Sequence, residues 1–212
     1  LFPYTTLFRS VISYYFSPLN THVGYEPTQP IPYSHKLHAG QLGIDCKYCH
    51  RGVDTTDHAT IPSVQLCLNC HGPGKIKDDS PKLALLRYAA THPDETPPQW
   101  VKVHKVADYA YFSHAVHVNG QGGKVAVGCV SCHGRVDSME MVRQTEPLSM
   151  GWCLDCHRSP EGKIRPADQA TNMIWQWNDV NQGRSPESIG REWLKQNNII
   201  LAPPTDCSRC HR

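Results

Sequence analysis

The stretch CKYCH at Cys46–His50 is the first of five copies of one pattern, in which two cysteines three positions apart are followed at once by a histidine. The pattern returns as CLNCH, CVSCH, CLDCH and CSRCH, beginning at Cys67, Cys129, Cys153 and Cys207. Together the copies use all ten cysteines of the 212-residue chain. The chemistry of this one pattern therefore decides what the cysteines do and what the chain folds around.

The pattern is typical of covalent haem attachment. Two thiols bond the vinyl groups of one haem, and the next residue brings an imidazole to the iron. Zinc sites, disulfides and thioredoxin-like redox pairs also use closely spaced cysteines, but none of them requires a histidine at this position five times. We therefore expect five c-type haems. The thioether bonds are assigned to Cys46, Cys49, Cys67, Cys70, Cys129, Cys132, Cys153, Cys156, Cys207 and Cys210. The proximal iron ligands are assigned to His50, His71, His133, His157 and His211.

The composition agrees with a chain that folds around cofactors. It has only 4 Phe and 4 Met, which are few large apolar side chains for a core of this length. The formal net charge of +2 gives no sign of the basic surface that binds nucleic acid, so we expect no nucleic-acid partner. The mean hydropathy of -0.48 excludes a polytopic membrane protein. With 17 Pro and 15 Gly, the expected fold is mostly irregular with short α-helices, and the porphyrins form much of its core.

An internal repeat divides the chain into modules. YSHKLH at Tyr33–His38 precedes the motif at Cys46, and FSHAVH at Phe112–His117 precedes the motif at Cys129. In each unit a related RGVD or GRVD segment follows the first haem motif, and a second haem motif comes after it. We therefore predict two di-haem modules and a C-terminal haem segment. The expected boundaries are 32–79 for the first di-haem module, 80–105 for a helical linker, 106–163 for the second di-haem module and 164–212 for the C-terminal extension with the fifth haem.

Two helices outside the haem motifs are predicted from their end signals. The first begins after Ser80, where proline follows a capping residue, and ends at His92. The second begins after Ser185, again with proline next, and ends at Asn197. A short strand is expected at Lys124–Val130.

The second ligand of each iron is sought among the histidines outside the haem motifs. Two Ser-His-x-x-His pairs recur at the same place before a haem motif, and we expect all four residues to be distal ligands: His35, His38, His114 and His117. Residues three apart on a helical turn lie on one side but diverge, so each pair can reach two irons. His104 is a further candidate, left open for the fifth haem. His22 and His92 are expected to be surface or packing residues.

The repeat also predicts unlike ligands at one aligned position. His58 follows His50 by eight residues, and Met141 follows His133 by eight. We expect His58 to be a distal ligand and Met141 to supply a thioether to the second haem of the second module, which raises the potential of that haem. Ligation by Met139, or a packing role for Met141, is the alternative.

The start of the chain has an unusual sequence. LFPYTTLFRS at residues 1–10 can be encoded by a DNA string that resembles a widely used short-read sequencing adapter, so we expect it to be an artefact. A genuine apolar terminus is the alternative. The aromatic run Val11–Phe16 is typical of the end of a membrane helix at the headgroup level. We therefore expect residues 11–31 to be the remnant of a membrane anchor and a linker, with the anchor itself missing upstream.

A family resemblance rests on several of these strings. Ser-His-x-x-His before a haem motif resembles the cytochrome c3/c7 type of multihaem protein, so the modules are expected to be c7-like. PYSHKLHAG at residues 32–40, YAYFSH at 109–114 and EPLSMGWC at 146–153 are similar to the pentahaem cytochrome subunit of alternative complex III. That resemblance implies a subunit anchored by an N-terminal helix on the outer, periplasmic face of a bacterial cytoplasmic membrane.

The same resemblance implies a role and partners. The subunit takes electrons from an iron-sulfur protein subunit of a quinol-oxidising complex that also has membrane subunits. It passes them to a monohaem cytochrome c or a haem-copper oxidase. From the residues, an electron carrier is favoured over an enzyme, because histidines are available to close every iron. The alternatives are a multihaem reductase of nitrite or hydroxylamine type with one open haem, a periplasmic tetra- or pentahaem carrier of the quinol-dehydrogenase type, and a non-redox structural module.

Overall fold

The computed structural model describes residues 3–178 and 182–211. The α-helices are α1 (Pro3–Tyr15), α2 (Cys46–Cys49), α3 (Val64–His71), α4 (Ala84–Thr91), α5 (His114–Val118), α6 (Gly120–Gly123), α7 (Cys129–His133), α8 (Met150–Arg158), α9 (Pro186–Gln196) and α10 (Cys207–Cys210). Single helical turns of 3-10 type lie at Pro18–Thr21, Pro81–Leu83, Val136–Ser138 and Ala167–Gln169, and a π-helical turn lies at Lys36–Gln41. The expectation of a mostly irregular fold with short helices is confirmed.

The two helices predicted from capping signals are present. Helix α4 follows a 3-10 turn that begins after Ser80, and its Leu86 is 1% exposed. Helix α9 begins after Ser185, whose hydroxyl accepts from the Ser188 N–H at 3.2 Å. It ends at Asn197 as expected: the Asn197 N–H donates to the Trp193 carbonyl at 3.1 Å, and Asn198 then takes a positive φ of 52°, which cannot continue a right-handed helix.

The strand prediction was wrong in extent. Strand β1 covers Val125–Val127 only, and it pairs antiparallel with β2, Ile164–Pro166, with Ala126 opposite Arg165. The expected strand stops early because Gly128 caps α7, which carries the third haem motif. This two-stranded ribbon joins the second module to the C-terminal extension.

Buried apolar side chains form two small clusters rather than one core. The first cluster is Val53, Val118, Ala126 and Ala170. The second cluster is Val125, Ile164, Leu194 and Ile199. The first cluster takes residues from both predicted modules and from the C-terminal extension. Clusters of this size are small for a chain of 212 residues, in keeping with an interior completed by another group.

Helix α1 contains part of the stretch attributed to an adapter. Its apolar side chains face solvent, with Tyr4 83% and Phe8 67% exposed, and Phe16 directly after it is 88% exposed. Leu1 and Phe2 lie outside the described residues. Across residues 3–178 and 182–211, every helix is too short or too polar to span a bilayer.

Candidate haem-binding sites

Each of the five cysteine motifs lies on a helical turn. Helices α2, α7 and α10 consist of motif residues alone, whereas α3 and α8 are longer and carry their motifs toward the C-terminal end. Asp45 and Asp206 hold the starts of α2 and α10, because their carboxylates accept from the Lys47 N–H at 2.8 Å and the Arg209 N–H at 3.1 Å. Residues three apart on a turn face the same side, so the two thiols of a motif are presented together. No two of the ten cysteines are joined in a disulfide, so all of them are available for haem attachment.

Three of the five proximal histidines are held in one tautomer by a backbone carbonyl. The Nδ1 atom bonds a carbonyl oxygen in each: His50 to Thr60 at 2.7 Å, His71 to Ile76 at 2.8 Å and His157 to Pro204 at 2.7 Å. A carbonyl oxygen only accepts, so the ring proton is on Nδ1. The Nε2 lone pair is therefore available to a metal, and the ring is oriented by its partner.

Three of the four histidines in the repeated pairs have the same arrangement. Their Nδ1 atoms bond carbonyl oxygens: His38 to Ser34 at 2.8 Å, His114 to Asp57 at 2.8 Å and His117 to Ser113 at 2.7 Å. Each ring therefore also presents an unprotonated Nε2. The proximal and the repeat histidines thus share the form in which an imidazole binds iron.

Proximal and repeat histidines face each other in pairs. The ring centroids of His38 and His71 are 6.2 Å apart, those of His117 and His157 are 6.1 Å apart, and those of His114 and His133 are 6.3 Å apart. Two imidazoles bound on opposite sides of one metal at about 2.0 Å would have centroids about 6.3 Å apart. These three pairs therefore fit haems with two histidine ligands each.

His35 completes the set of repeat histidines. It is largely buried, and its Nδ1 has no hydrogen-bond partner among the described residues. Burial, with help from the nearby His50 and His38, lowers the pKa of His35 to about 4. A neutral imidazole enclosed beside His50, with an unsatisfied ring nitrogen, fits a space that a bound group occupies.

His104 lies at the third haem motif and not at the fifth. Its ring centroid is 4.2 Å from that of His133, and its buried Nε2 has no partner in the described part of the chain. Burial, followed by the neighbouring His104 and His114, lowers the pKa of His133 to about 3. From the sequence, His104 was a candidate distal ligand for the fifth haem, but in the structure it lies beside His133 of the third motif.

His58 and Met141 are both on the surface, and Met141 is 47% exposed. The alternative Met139 is 6% exposed and belongs to the buried apolar residues. At the second haem of the second module, where Met141 was expected, His117 faces His157. Ligation by His58 and Met141 stays a prediction, and His117 is a competing candidate for the same iron.

The fifth motif is attached to the segment that precedes the second Ser-His-x-x-His pair. His211 forms an isolated antiparallel bridge with Ala110, and the Tyr111 N–H donates to the Cys210 carbonyl at 2.8 Å. The ring of Tyr109 lies 5.6 Å from that of His211. The C-terminal haem motif therefore returns to the second module.

The sequence analysis did not identify Tyr33 and Phe112 as functional residues. Tyr33 stacks on His38 at 4.3 Å, and Phe112 stacks on His117 at 4.8 Å. The same two aromatic rings meet the first histidine of each pair edge-on, at 4.8 Å and 4.9 Å. The signal was present in the sequence as an aromatic residue before each Ser-His-x-x-His. In each module this aromatic ring contacts both histidines of the pair and so orients them.

The thiols of successive motifs lie close enough to affect one another. Burial raises the pKa of Cys67, Cys132 and Cys153, and a cysteine of another motif adds to each rise. The partners are Cys49 for Cys67, Cys156 and Cys153 for Cys132, and Cys210 for Cys153. The Cys46 and Cys129 thiols are also close enough for each to shift the pKa of the other, upward for Cys46 and downward for Cys129. The motifs therefore form a row in the order second, first, third, fourth and fifth.

Comparison with known proteins finds a partial likeness to a multihaem cytochrome subunit. No protein-family profile matches the chain. It is 30% identical over 105 residues to the menaquinone reductase, multihaem cytochrome c subunit, of Nitratidesulfovibrio vulgaris Hildenborough. The match covers 50% of this chain and 45% of the relative, so the chain spans less than half the length of that protein. With its five haem motifs, short helices and facing histidines, the chain is similar to a multihaem cytochrome c.

Proposed function

We propose that the chain is a pentahaem c-type cytochrome that carries electrons within a quinone-linked respiratory complex, on the periplasmic face of the cytoplasmic membrane. The observation that carries the proposal is the pairing of imidazole rings at 6.1–6.3 Å across three of the five motifs. Iron closed by two histidines has no position for a substrate, which favours a carrier over a reductase.

The chain's own residues would set the properties of the bound haems. Each haem, when bound, supplies one-electron chemistry at its iron. The carbonyls of Thr60, Ile76 and Pro204 hold protons on the Nδ1 atoms of their histidines and raise the basicity of the ligating nitrogens. The aromatic rings of Tyr33 and Phe112 stack on the distal candidates His38 and His117 and hold these imidazoles in place. These contacts limit rearrangement when the charge of the site changes.

The row of motifs supports a continuous path for electrons. The second motif is at one end and the fifth at the other, and the neighbouring thiols of Cys46 and Cys129 lie between the two modules. We infer that partners meet the cytochrome at the two end motifs. One partner is an iron-sulfur protein subunit of the same complex, which also has membrane subunits.

Two directions of electron flow are candidates. The resemblance to the alternative complex III subunit favours flow from quinol, through the iron-sulfur subunit, to a monohaem cytochrome c or a haem-copper oxidase. The relative from Nitratidesulfovibrio vulgaris is a subunit of a menaquinone reductase. It favours the opposite flow, from a periplasmic donor toward menaquinone.

Purification of the complex from its native membrane tests both proposals. We expect five haems per chain, an iron-sulfur subunit in the same complex, and activity with either quinol and cytochrome c or a reduced periplasmic cytochrome and menaquinone. The first activity supports the alternative complex III type, and the second supports the menaquinone reductase type. A cytochrome that purifies alone and reduces nitrite or hydroxylamine would contradict a carrier role.

A further inference from the structure

The two modules contact each other through repeated parts. Each module has a histidine turn, which carries its Ser-His-x-x-His pair, and a loop after its first haem motif. We define the first histidine turn as residues 33–41, the first loop as 51–58, the second histidine turn as 112–119 and the second loop as 134–141. In both modules the turn lies against the loop of the other module.

The first histidine turn docks on the second loop. The Lys36 N–H donates to the Met139 carbonyl at 2.9 Å. A Cβ atom added to Gly40 would overlap the carbonyl oxygen of Asp137, so the two backbones are in direct contact. The Lys36 ammonium also lies 3.4 Å from the carboxylate of Glu140. Backbone groups therefore form most of this contact.

The second histidine turn docks on the first loop in the same way. The Ala115 N–H donates to the Thr56 carbonyl at 3.1 Å. The Asn119 side-chain amide donates to the Asp54 carbonyl at 3.2 Å. Ala115 and Asn119 hold the same places in the second turn as Lys36 and Gly40 hold in the first. The contacts are therefore exchanged reciprocally between the modules.

Side chains also pack across the boundary between the two modules. Cys46 and Cys129, the first cysteines of the equivalent motifs, lie close to each other across it. Val53 of the first loop and Val118 of the second histidine turn are both buried in one apolar cluster. The reciprocal backbone contacts are thus part of a packed interface.

We propose that the first module positions a distal histidine of the second, with the Asp57 carbonyl as the positioning group for His114. That carbonyl accepts from both the Nδ1 and the backbone N–H of His114, at 2.8 Å and 3.2 Å. A group in the first module therefore fixes the tautomer and orientation of an imidazole in the second. The inference rests on the proposed function only in that His114 is taken as an iron ligand.

Substitution of Thr56 tests this inference in the intact holoprotein. The Thr56 hydroxyl donates to the carbonyls of Gly52 and His58 and so braces the first loop. Thr56→Val removes those bonds while keeping the shape of the side chain. Thr55→Val is the matched control, because the Thr55 side chain makes no hydrogen bond within the described residues.

The readout is the haem in the other module. His114→Ala identifies it as the low-spin signal lost from the electron paramagnetic resonance spectrum. We expect Thr56→Val to shift that signal and its midpoint potential, and Thr55→Val to leave both unchanged. A Thr56→Val protein in which the His114-dependent signal keeps its position and potential would overturn the inference.

A second variant disturbs the contact of the other histidine turn. Gly40→Ala pushes the first histidine turn against Asp137 in the second loop and leaves the Asp57 carbonyl in place, so it should shift signals that depend on His35 and leave the His114-dependent signal unchanged. Gly151→Ala is its control, because nothing lies within 4 Å of a Cβ added there. A shift of the His114-dependent signal in Gly40→Ala as large as that in Thr56→Val would contradict a specific role for the Asp57 carbonyl. A haem count below five in the wild-type protein would instead contradict the proposed function.

Discussion

The imidazole rings of His117 and His157 lie 6.1 Å apart, although one belongs to the second histidine turn and the other to the fourth haem motif. His38 and His71 repeat this relationship in the first module at 6.2 Å. The second histidine of each pair thus faces the second haem motif of its own module. This symmetry gives a specific ligand for the iron at each of these motifs.

Removal of His117 should open one iron. In His117→Ala the haem on Cys153 and Cys156 loses its distal ligand, so the reduced protein should bind carbon monoxide at about one haem in five. The Soret band should shift by the matching fraction, whereas the wild-type band stays nearly unchanged. His92→Ala is the control, since His92 is exposed and stacks on Tyr88. A His117→Ala spectrum identical to that of the control would contradict the assignment.

An optical band distinguishes Met141 from His117 as the distal ligand of the fourth motif. A methionine ligand predicts a weak long-wavelength sulfur-to-iron charge-transfer band in the oxidised protein, and Met141→His should abolish it and lower the potential of one haem. If His117 closes that iron instead, the wild-type protein has no such band and Met141→His leaves the redox titration unchanged. Met139→Leu tests the alternative ligand: it keeps a buried apolar side chain and should abolish the band only if Met139 binds the iron.

Helix α9 should tolerate no side chain at Gly190. A Cβ atom there would overlap the backbone carbonyl of Glu161, and Gly190 is itself buried. Gly190→Ala should therefore lower the free energy of unfolding by about 1–3 kcal/mol, the usual cost of overpacking. Denaturant titration of the holoprotein measures the change. Gly151→Ala, in an open position, should show no loss.

The chain without haem should be largely unfolded. Its two apolar clusters are small, and the facing histidines are held apart at distances that suit a group between them. Circular dichroism and NMR of protein expressed without haem maturation should show little helix and poor signal dispersion. Well-dispersed spectra from the haem-free chain would contradict a core formed by cofactors.

Local patterns in the sequence predicted the elements that depend on neighbouring residues. The helices after Ser80 and Ser185 follow from capping signals within a few positions. The strand at Val125–Val127 was expected to be longer, because the competing start of α7 at Gly128 is a weak signal by itself.

Features that depend on distant residues were not predicted. The exchange of histidine turns joins Lys36 to Met139 and Ala115 to Thr56, and no local pattern records such pairs. His104 is an isolated histidine without a counterpart in the repeat, so its place beside His133 had no sequence signal. Alignment of the two repeats identified the paired histidines, because both copies share the same spacing.

Peptide mass spectrometry of the matured protein tests the central claim most directly. After cleavage on the carboxyl side of glutamate, which leaves every motif intact, the fragment that ends at Glu95 should carry the mass of two haems. The fragments 96–140, 141–161 and 193–212 should carry one haem each, and every haem should be bound through two thioethers. Unmodified cysteines, disulfide-linked peptides or a haem on only some of the motifs in fully matured protein would contradict the account.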